Sequence, residues 1–236
     1  MTPRTPIWKA IADVIRDEIA EHLHRPGDKL PTESALATRF GVNRHTVRQA
    51  LAALTEEGLL RPRRGAGVFV TATPTDYPIG QRVRFHQNLR AAGRSPAKKL
   101  LALETRAASN AERTALGISE GPVHVYEGLS LADGQVIALF RSVFPAARFA
   151  DLPDHLRKDP SVTAALRACG VADYTRASTR ITAKLASATQ ALHLQITEGG
   201  PILRTSSINV DVEGIPVEAG LTWFAGDKVT LTLAED

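Results

Sequence analysis

The stretch GVNRHTVRQALAALTEEGLLRPRRGAGVFV, Gly41 to Val70, restricts the fold more than any other part of this 236-residue chain. Asn43 is placed to cap a helix, and Val47, Ala50, Leu51 and Leu54 then recur at the spacing of one helical face. Gly58 ends that pattern. Two short apolar runs follow around a basic, glycine-containing turn, which reads as a β-hairpin. Upstream, Ile7, Ile11, Val14, Ile15, Ile19 and Leu23 form a first amphipathic helix that RPGDKLP terminates. Thr32 caps a short second helix, in which Glu33 suits the positive end, Leu36 and Phe40 pair at i,i+4, and Gly41 is the stop.

Three helices followed by a hairpin are the outline of a winged helix-turn-helix. Burying the apolar face of the third helix turns Arg44, His45, Arg48 and Gln49 outward, with Arg44 and Arg48 one turn apart. A recognition helix enters the major groove with its N-terminal residues nearest the bases, where arginine can pair with guanine and glutamine with adenine. Thr46 offers a hydroxyl to a phosphate, and the hairpin adds Arg63 and Arg64 beside Gly65 and Gly67, where the backbone can come close. Charge follows the same division. Residues 1–72 carry 11 Lys+Arg and 8 Asp+Glu, so most of the net +4 lies in the first third of the chain. A solvated face explains each element singly, but not a cap, outward arginines and a basic glycine turn in that order.

The rest of the sequence narrows the class. No apolar run nears the roughly 20 residues that span a bilayer, and the N-terminus has no signal-peptide pattern, so a cytoplasmic location is expected. The single cysteine, Cys169, reads as a small buried hydrophobe and cannot form an internal disulfide. There is no nucleophile motif, metal-ligand spacing or paired-acid constellation, hence no catalytic residue, metal or cofactor to name.

Residues 71–81 have turn and extended-chain character and are expected to be a linker between a DNA-binding domain, 1–70, and a second domain, 82–236. In the second domain, Val123–Leu131 and Gln135–Phe144 flank an Asp-Gly hairpin signal, and Ile202–Val212 with Ile215–Phe224 repeat the arrangement. Tyr174–Leu185 alternates as a strand, while Asn110–Leu116, Val162–Cys169 and Ser187–Leu194 look helical. Hairpins separated by single helices predict an α+β domain on an antiparallel sheet.

The segment KLPTESALATRFGVNRHTVRQALAALTEEGLLRPRRGAGVFV resembles the DNA-binding domain of the GntR family of bacterial transcription regulators, over roughly residues 7–70. The resemblance implies that Asn43, Arg44, His45, Thr46 and Arg48 form the operator-reading segment, with Arg63, Arg64 and Gly65 at the wing. The second residue of the second helix, often arginine in the family, is Ser34 here, which leaves a weaker phosphate contact. Residues from about 82 onward resemble the UTRA effector-binding domain of the HutC subfamily, similar in fold to chorismate lyase, through ERTALGISEGPVHVY, LADG and VEGIPVEAGLTWFAGDKV. DYPIGQRVRFHQNLRAAGRSPAKKLL is similar more narrowly to regulators of bacterial phosphonate uptake and metabolism. A homodimer on an inverted-repeat operator is implied, with recognition helices about 34–36 Å apart.

The resemblance also implies a small anionic effector. Ser161, at the start of a helix, would cradle it, and Glu218 matches an acidic residue that faces the ligand, although a plain helix cap and an exposed strand glutamate would look the same. The family's Arg-x-Arg pair falls on Gly128 and Ser130, and a family glutamate on Phe140, so the usual charge compensation is missing. Alternation on one strand makes Arg176, Ser178, Arg180 and Thr182 a substitute anion site. His124 and Tyr126 share a face with Ser130, and His86 stands where relatives place a small hydroxyl residue. Two other classes compete with a ligand-responsive repressor: a lyase-like enzyme, and an architectural DNA-binding protein without an effector.

Overall fold

Three small caps, Thr32, Gly41 and Asn43, set the second and third helices of the chain. The computed structural model describes residues 6–21, 23–63, 65–71, 74–80, 85–91 and 93–233. Helix α1 (Ile7–Ala20) buries Ile11, Ala12 and Ile15. It stops sooner than the apolar pattern predicts: Leu23 lies outside it, 65% exposed, and Ile7 and Val14 also face solvent. The chain must leave the helix before Pro26 and the left-handed Gly27, whose N–H donates to Val70 O. Helix α2 (Glu33–Phe40) starts with Thr32 Oγ1 accepting from the Ala35 N–H at 3.2 Å and ends at Gly41, φ 65°. Helix α3 (Arg44–Glu56) starts with Asn43 Oδ1 accepting from the Thr46 N–H at 2.9 Å.

Val47, Ala50, Leu51 and Leu54 are buried against Ile11, Ile15 and Leu36, as their spacing requires. Each large aliphatic side chain buried there contributes about 1.5–3 kcal/mol. Strands β1 (Leu60–Arg63) and β2 (Gly67–Val70) pair antiparallel, Leu60 opposite Val70 and Arg63 opposite Gly67. Leu60 and Val70 belong to the same core, so the root of the hairpin is fixed while its basic tip projects.

This segment is one compact unit, Met1–Thr73; the second runs Pro74–Asp236. The second begins inside the expected linker. Thr75–Pro78 form β3, which pairs in parallel with β10 (Val229–Thr232), and Thr75 and Tyr77 are buried there. A four-residue strand whose partner lies roughly 150 residues away leaves no local periodicity, so its turn-forming residues dominate the pattern. Then come α4 (Phe85–Ala91), β4 (Pro96–Ala107), α5 (Asn110–Leu116), β5 (Pro122–Ala132), β6 (Gln135–Pro145), α6 (Leu152–Lys158), α7 (Val162–Ala168), β7 (Tyr174–Leu185), α8 (Ala188–Leu194), β8 (Pro201–Asp211) and β9 (Pro216–Ala225).

The six long strands make one antiparallel sheet in the order β4-β5-β6-β9-β8-β7. Its two hairpins stand where the sequence places them. Asp133 and Gly134, φ 50° and 79°, turn β5 into β6 as a two-residue loop with both central residues left-handed. One sheet face carries Tyr126, Phe140, Phe144 and Val217 under α6 and α7, and partly buried Cys169 packs on that cluster. The opposite face packs against α8 through Leu129 and Ile202, and against α5 through Val125 and Val143. Among the described residues no helix is long and apolar enough to cross a membrane.

Candidate functional site

The first unit presents its cations as the helix periodicity requires: Arg44, His45, Arg48 and Gln49 are all exposed on α3. Two of them are tethered. Arg48 donates to both carboxylate oxygens of Glu33, at 2.8 and 3.1 Å, and Arg44 donates to Ser34 Oγ at 2.9 Å. The hydrogen bonds from Arg48 are the chief reason that the Glu33 carboxyl is held below its usual range. Ser34 therefore offers its oxygen to Arg44, and Thr46 gives its hydroxyl hydrogen to Asn43 Oδ1 at 3.1 Å. Glu33 was legible only as a charge at the helix start; its pairing depends on α2 crossing the first turn of α3, which no local pattern encodes. Arg39 pairs with Glu18 and so links α2 to α1.

At the hairpin, Arg63 lies over the Phe69 ring at 4.5 Å, a cation–π contact across the strand pair. Gly65 and Gly67 are left-handed, φ 73° and 114°. A Cβ on Gly67 would meet only the flexible end of the Lys29 side chain, so it is the positive φ that calls for glycine there. Arg64 lies outside the described residues.

The second unit contains a cavity of about 480 Å³ on the α6–α7 side of its sheet. Five of the eight candidate effector residues line it: His86, Ser130, Ser161, Arg176 and Glu218. Glu218 and its neighbours are a buried polar chain. Ser142 Oγ donates to Glu218 Oε1 at 2.5 Å, and the Asn209 Nδ2 donates to Oε2 at 2.6 Å. Asn209 Oδ1 in turn accepts from Arg176 Nε at 2.8 Å. The carboxylate thus orients the amide, and the amide orients the guanidinium. Ser161 caps α7, accepting from the Ala164 N–H at 3.3 Å, but its own N–H donates to the Asp159 carboxylate at 3.0 Å. The expected amide cradle for an oxyanion is partly filled by an acid. Burial, with Lys98 and Arg90 nearby, pushes the His86 imidazole below its ordinary value, so it is neutral at pH 7.

Three candidates stand elsewhere. Arg180 is exposed on the other face of the sheet from Arg176, because β7 is bulged between Arg176 and Ser178. Arg176 opposes Asn209, whereas Arg180 opposes Ser206; the extra residue reverses which side chains point to the cavity. Ser178 leaves the expected face with it, and Thr179 takes its place, accepting from Arg176 at 3.4 Å. His124 shares the face of Ser130 but lies beyond the cavity, its ring nitrogens bonded to Thr105 Oγ1 at 2.8 Å and Phe149 O at 3.0 Å. Tyr126 is fully buried one layer beneath, edge-on to Phe140, its hydroxyl donating to Pro160 O at 3.1 Å.

Lys98 is the residue that sequence reasoning missed. It lines the cavity from β4, opposite Ser130 in the register, with its Nζ 4.4 Å from the Phe140 ring centroid and 5.6 and 5.8 Å from Phe85 and Tyr126. Burial pulls its pKa down to about 8, against the opposing pull of Glu218. Among the described residues no three His, Cys, Asp or Glu side chains stand together as a metal site.

Comparison with known proteins matches two segments of the chain. Residues 8–70 match the model of the bacterial regulatory proteins of the gntR family, and residues 91–230 match the UTRA domain. An uncharacterised HTH-type transcriptional regulator of Rhizobium meliloti, RB1450, is 41% identical over 96% of this chain and 94% of its own length. The probable transcriptional regulator PhnF of Escherichia coli is 34% identical over 96% and 94%. The crystal structure of PhnF from Mycobacterium smegmatis superposes with a TM-score of 0.65 at 27% identity, covering 98% of this chain and 99% of that one.

Proposed function

The chain belongs to the GntR family, HutC type, a winged helix-turn-helix unit joined to a UTRA unit, and from that premise we propose a homodimeric cytoplasmic repressor of phosphonate uptake and metabolism genes. Membership makes it a ligand-responsive transcription regulator and not an enzyme. The α3 residues Asn43, Arg44, His45, Thr46 and Arg48, with Ser34 and the wing residues Arg63, Arg64 and Gly65, read an inverted-repeat operator. The cavity lined by His86, Ser130, Ser161, Arg176 and Glu218 holds a small anionic effector.

The observation that carries this reading is the cavity's charge. Arg90, Lys98, Arg167 and Arg176 line it against two carboxylates, Asp159 and Glu218, so an anion entering it meets an excess of positive charge. The phosphonate assignment rests on the narrower resemblance of residues 76–101. An effector acts only through a difference in affinity between the DNA-binding and released states. The test is selection of bound duplexes from a random library, followed by release with alkylphosphonates, phosphate and sugar phosphates. An inverted repeat bound by two chains and released by a phosphonate supports the reading. One chain per duplex, or release by none of these anions, counts against it.

A further inference from the structure

The family's Arg-x-Arg positions hold Gly128 and Ser130, and its glutamate position holds Phe140. The structure explains why the three changes belong together. A Cβ on Gly128 would meet the Phe140 ring at 2.7 Å and the Lys99 carbonyl oxygen at 2.6 Å, so no arginine fits where that ring lies. The same ring covers the ammonium of Lys98, across the strand pair from Ser130. Among the described residues Lys98 has no hydrogen-bond or ion-pair partner; aromatic faces hold it, and its fourth side is the cavity. The cation lost from β5 is restored from the neighbouring strand.

We propose that Lys98 is the anion anchor of this cavity, acting with the relay-held Arg176 to take a tetrahedral dianion of the phosphonate or phosphate-ester class. The proposal rests on the cavity being the effector site. A carboxylate at one end argues for where the dianion sits: Asp159 already takes the Ser161 N–H, which disfavours that end. Asn209 fixes the Arg176 Nε and Thr179 accepts from Nη1, which leaves Nη2 of the guanidinium for a ligand. Arg90 and Arg167 are exposed and contribute attraction at long range.

The charged groups around Lys98 are Glu218 on β9, Arg176 on β7, His86 and Arg90 on α4, Arg167 on α7, and Asp159 before α7. His86 is neutral above pH 7, and the buried hydroxyls of Tyr77 and Tyr126 are raised beyond their ordinary value by desolvation. Among the displaced groups that line or back the cavity, Lys98 is the one whose ionisation falls between pH 7 and 9.

The experiment is calorimetric titration of the full chain with sulfate, a dianion at every pH used, at constant ionic strength, with nitrate as the monoanion. Sulfate is expected to bind more tightly than nitrate, and to weaken by roughly tenfold from pH 7 to pH 9 as a lysine of pKa about 8 loses its proton. Lys98→Met is expected to weaken sulfate at pH 7 at least tenfold and to abolish the pH dependence. Equal affinities for sulfate and nitrate overturn the dianion class. Sulfate binding that Lys98→Met leaves unchanged, or that is flat from pH 7 to 9 in the unaltered chain, overturns Lys98 as anchor while leaving the cavity as the effector site. No sulfate binding by the unaltered chain overturns both.

Discussion

Replacing Glu218 separates a carboxylate that meets the ligand from one that positions its neighbours. Ser142, Asn209 and Glu218 are 6%, 5% and 8% exposed, so a bond lost among them is poorly replaced by water. Glu218→Ala leaves a buried hydroxyl and a buried amide without their acceptor, at about 1–3 kcal/mol each. For a unit of this size each kcal/mol moves Tm by roughly 2–4 °C, so the combined loss is on the order of 10 °C. Glu218→Gln keeps the shape. The Ser142 hydroxyl can rotate to accept from the new amide while the glutamine oxygen still accepts from Asn209, and about 1 kcal/mol is lost as charge-assisted bonds become neutral ones. The two units need separate reporters, since they need not unfold together. Trp8 packs in the first unit and Trp223 in the second, so a Trp8→Phe background leaves fluorescence that reports the second alone. The expected result is a large drop for alanine and a drop of a few degrees for glutamine. Melting of both variants within about 1 °C of the parent would refute the relay.

Arg180→Ala is expected to leave effector-induced release of DNA unchanged, because the bulge turns Arg180 away from the cavity; a weakened response in release assays would mean that β7 is read in the wrong register. Arg44→Ala should cost more affinity on selected operator than on random duplex, measured by titration at one salt concentration; an equal loss on both would make it a phosphate contact. Glu112 is held at about pKa 2, first by the hydrogen bonds from Arg106 and against some desolvation, with Ser109 adding to the effect. A depressed carboxylate contributes stability above its unfolded pKa, near 4.5, and that contribution is lost as pH falls toward 2. Glu112→Gln should therefore flatten the acid limb of stability between pH 4.5 and 2 in denaturant titrations, and an unchanged limb would remove the pair from the account.

Local chemistry made much of the fold legible. Asn43, Thr32 and Ser161 are caps that act on residues three positions away, and Asp133-Gly134 closes a hairpin by its own dihedral preferences. These signals are complete within a short window. β3 and β10 depend on each other across most of the second unit, and β4 is a bulged edge strand with many exposed side chains, so neither leaves a clean period of two. The helix α1 pattern runs past its true end because Leu23 matches the period although Pro26 and Gly27 already require a turn.

The proposed effector site was less legible because each of its decisive features is a relation between strands. Strict alternation put Arg176 and Arg180 together; one extra residue in β7, invisible in composition, parts them. The absence of arginine at Gly128 reads in sequence as a lost charge. In the folded sheet it is the space that Phe140 needs, and Phe140 is the surface on which Lys98 rests. A lysine held by aromatic faces differs from an arginine pair in one physical respect that matters for function: its charge can be lost near pH 8, whereas a guanidinium keeps its charge throughout. Affinity for a dianion in this cavity is thereby tied to proton binding at Lys98, and a chain with arginine at the family positions would lack that dependence.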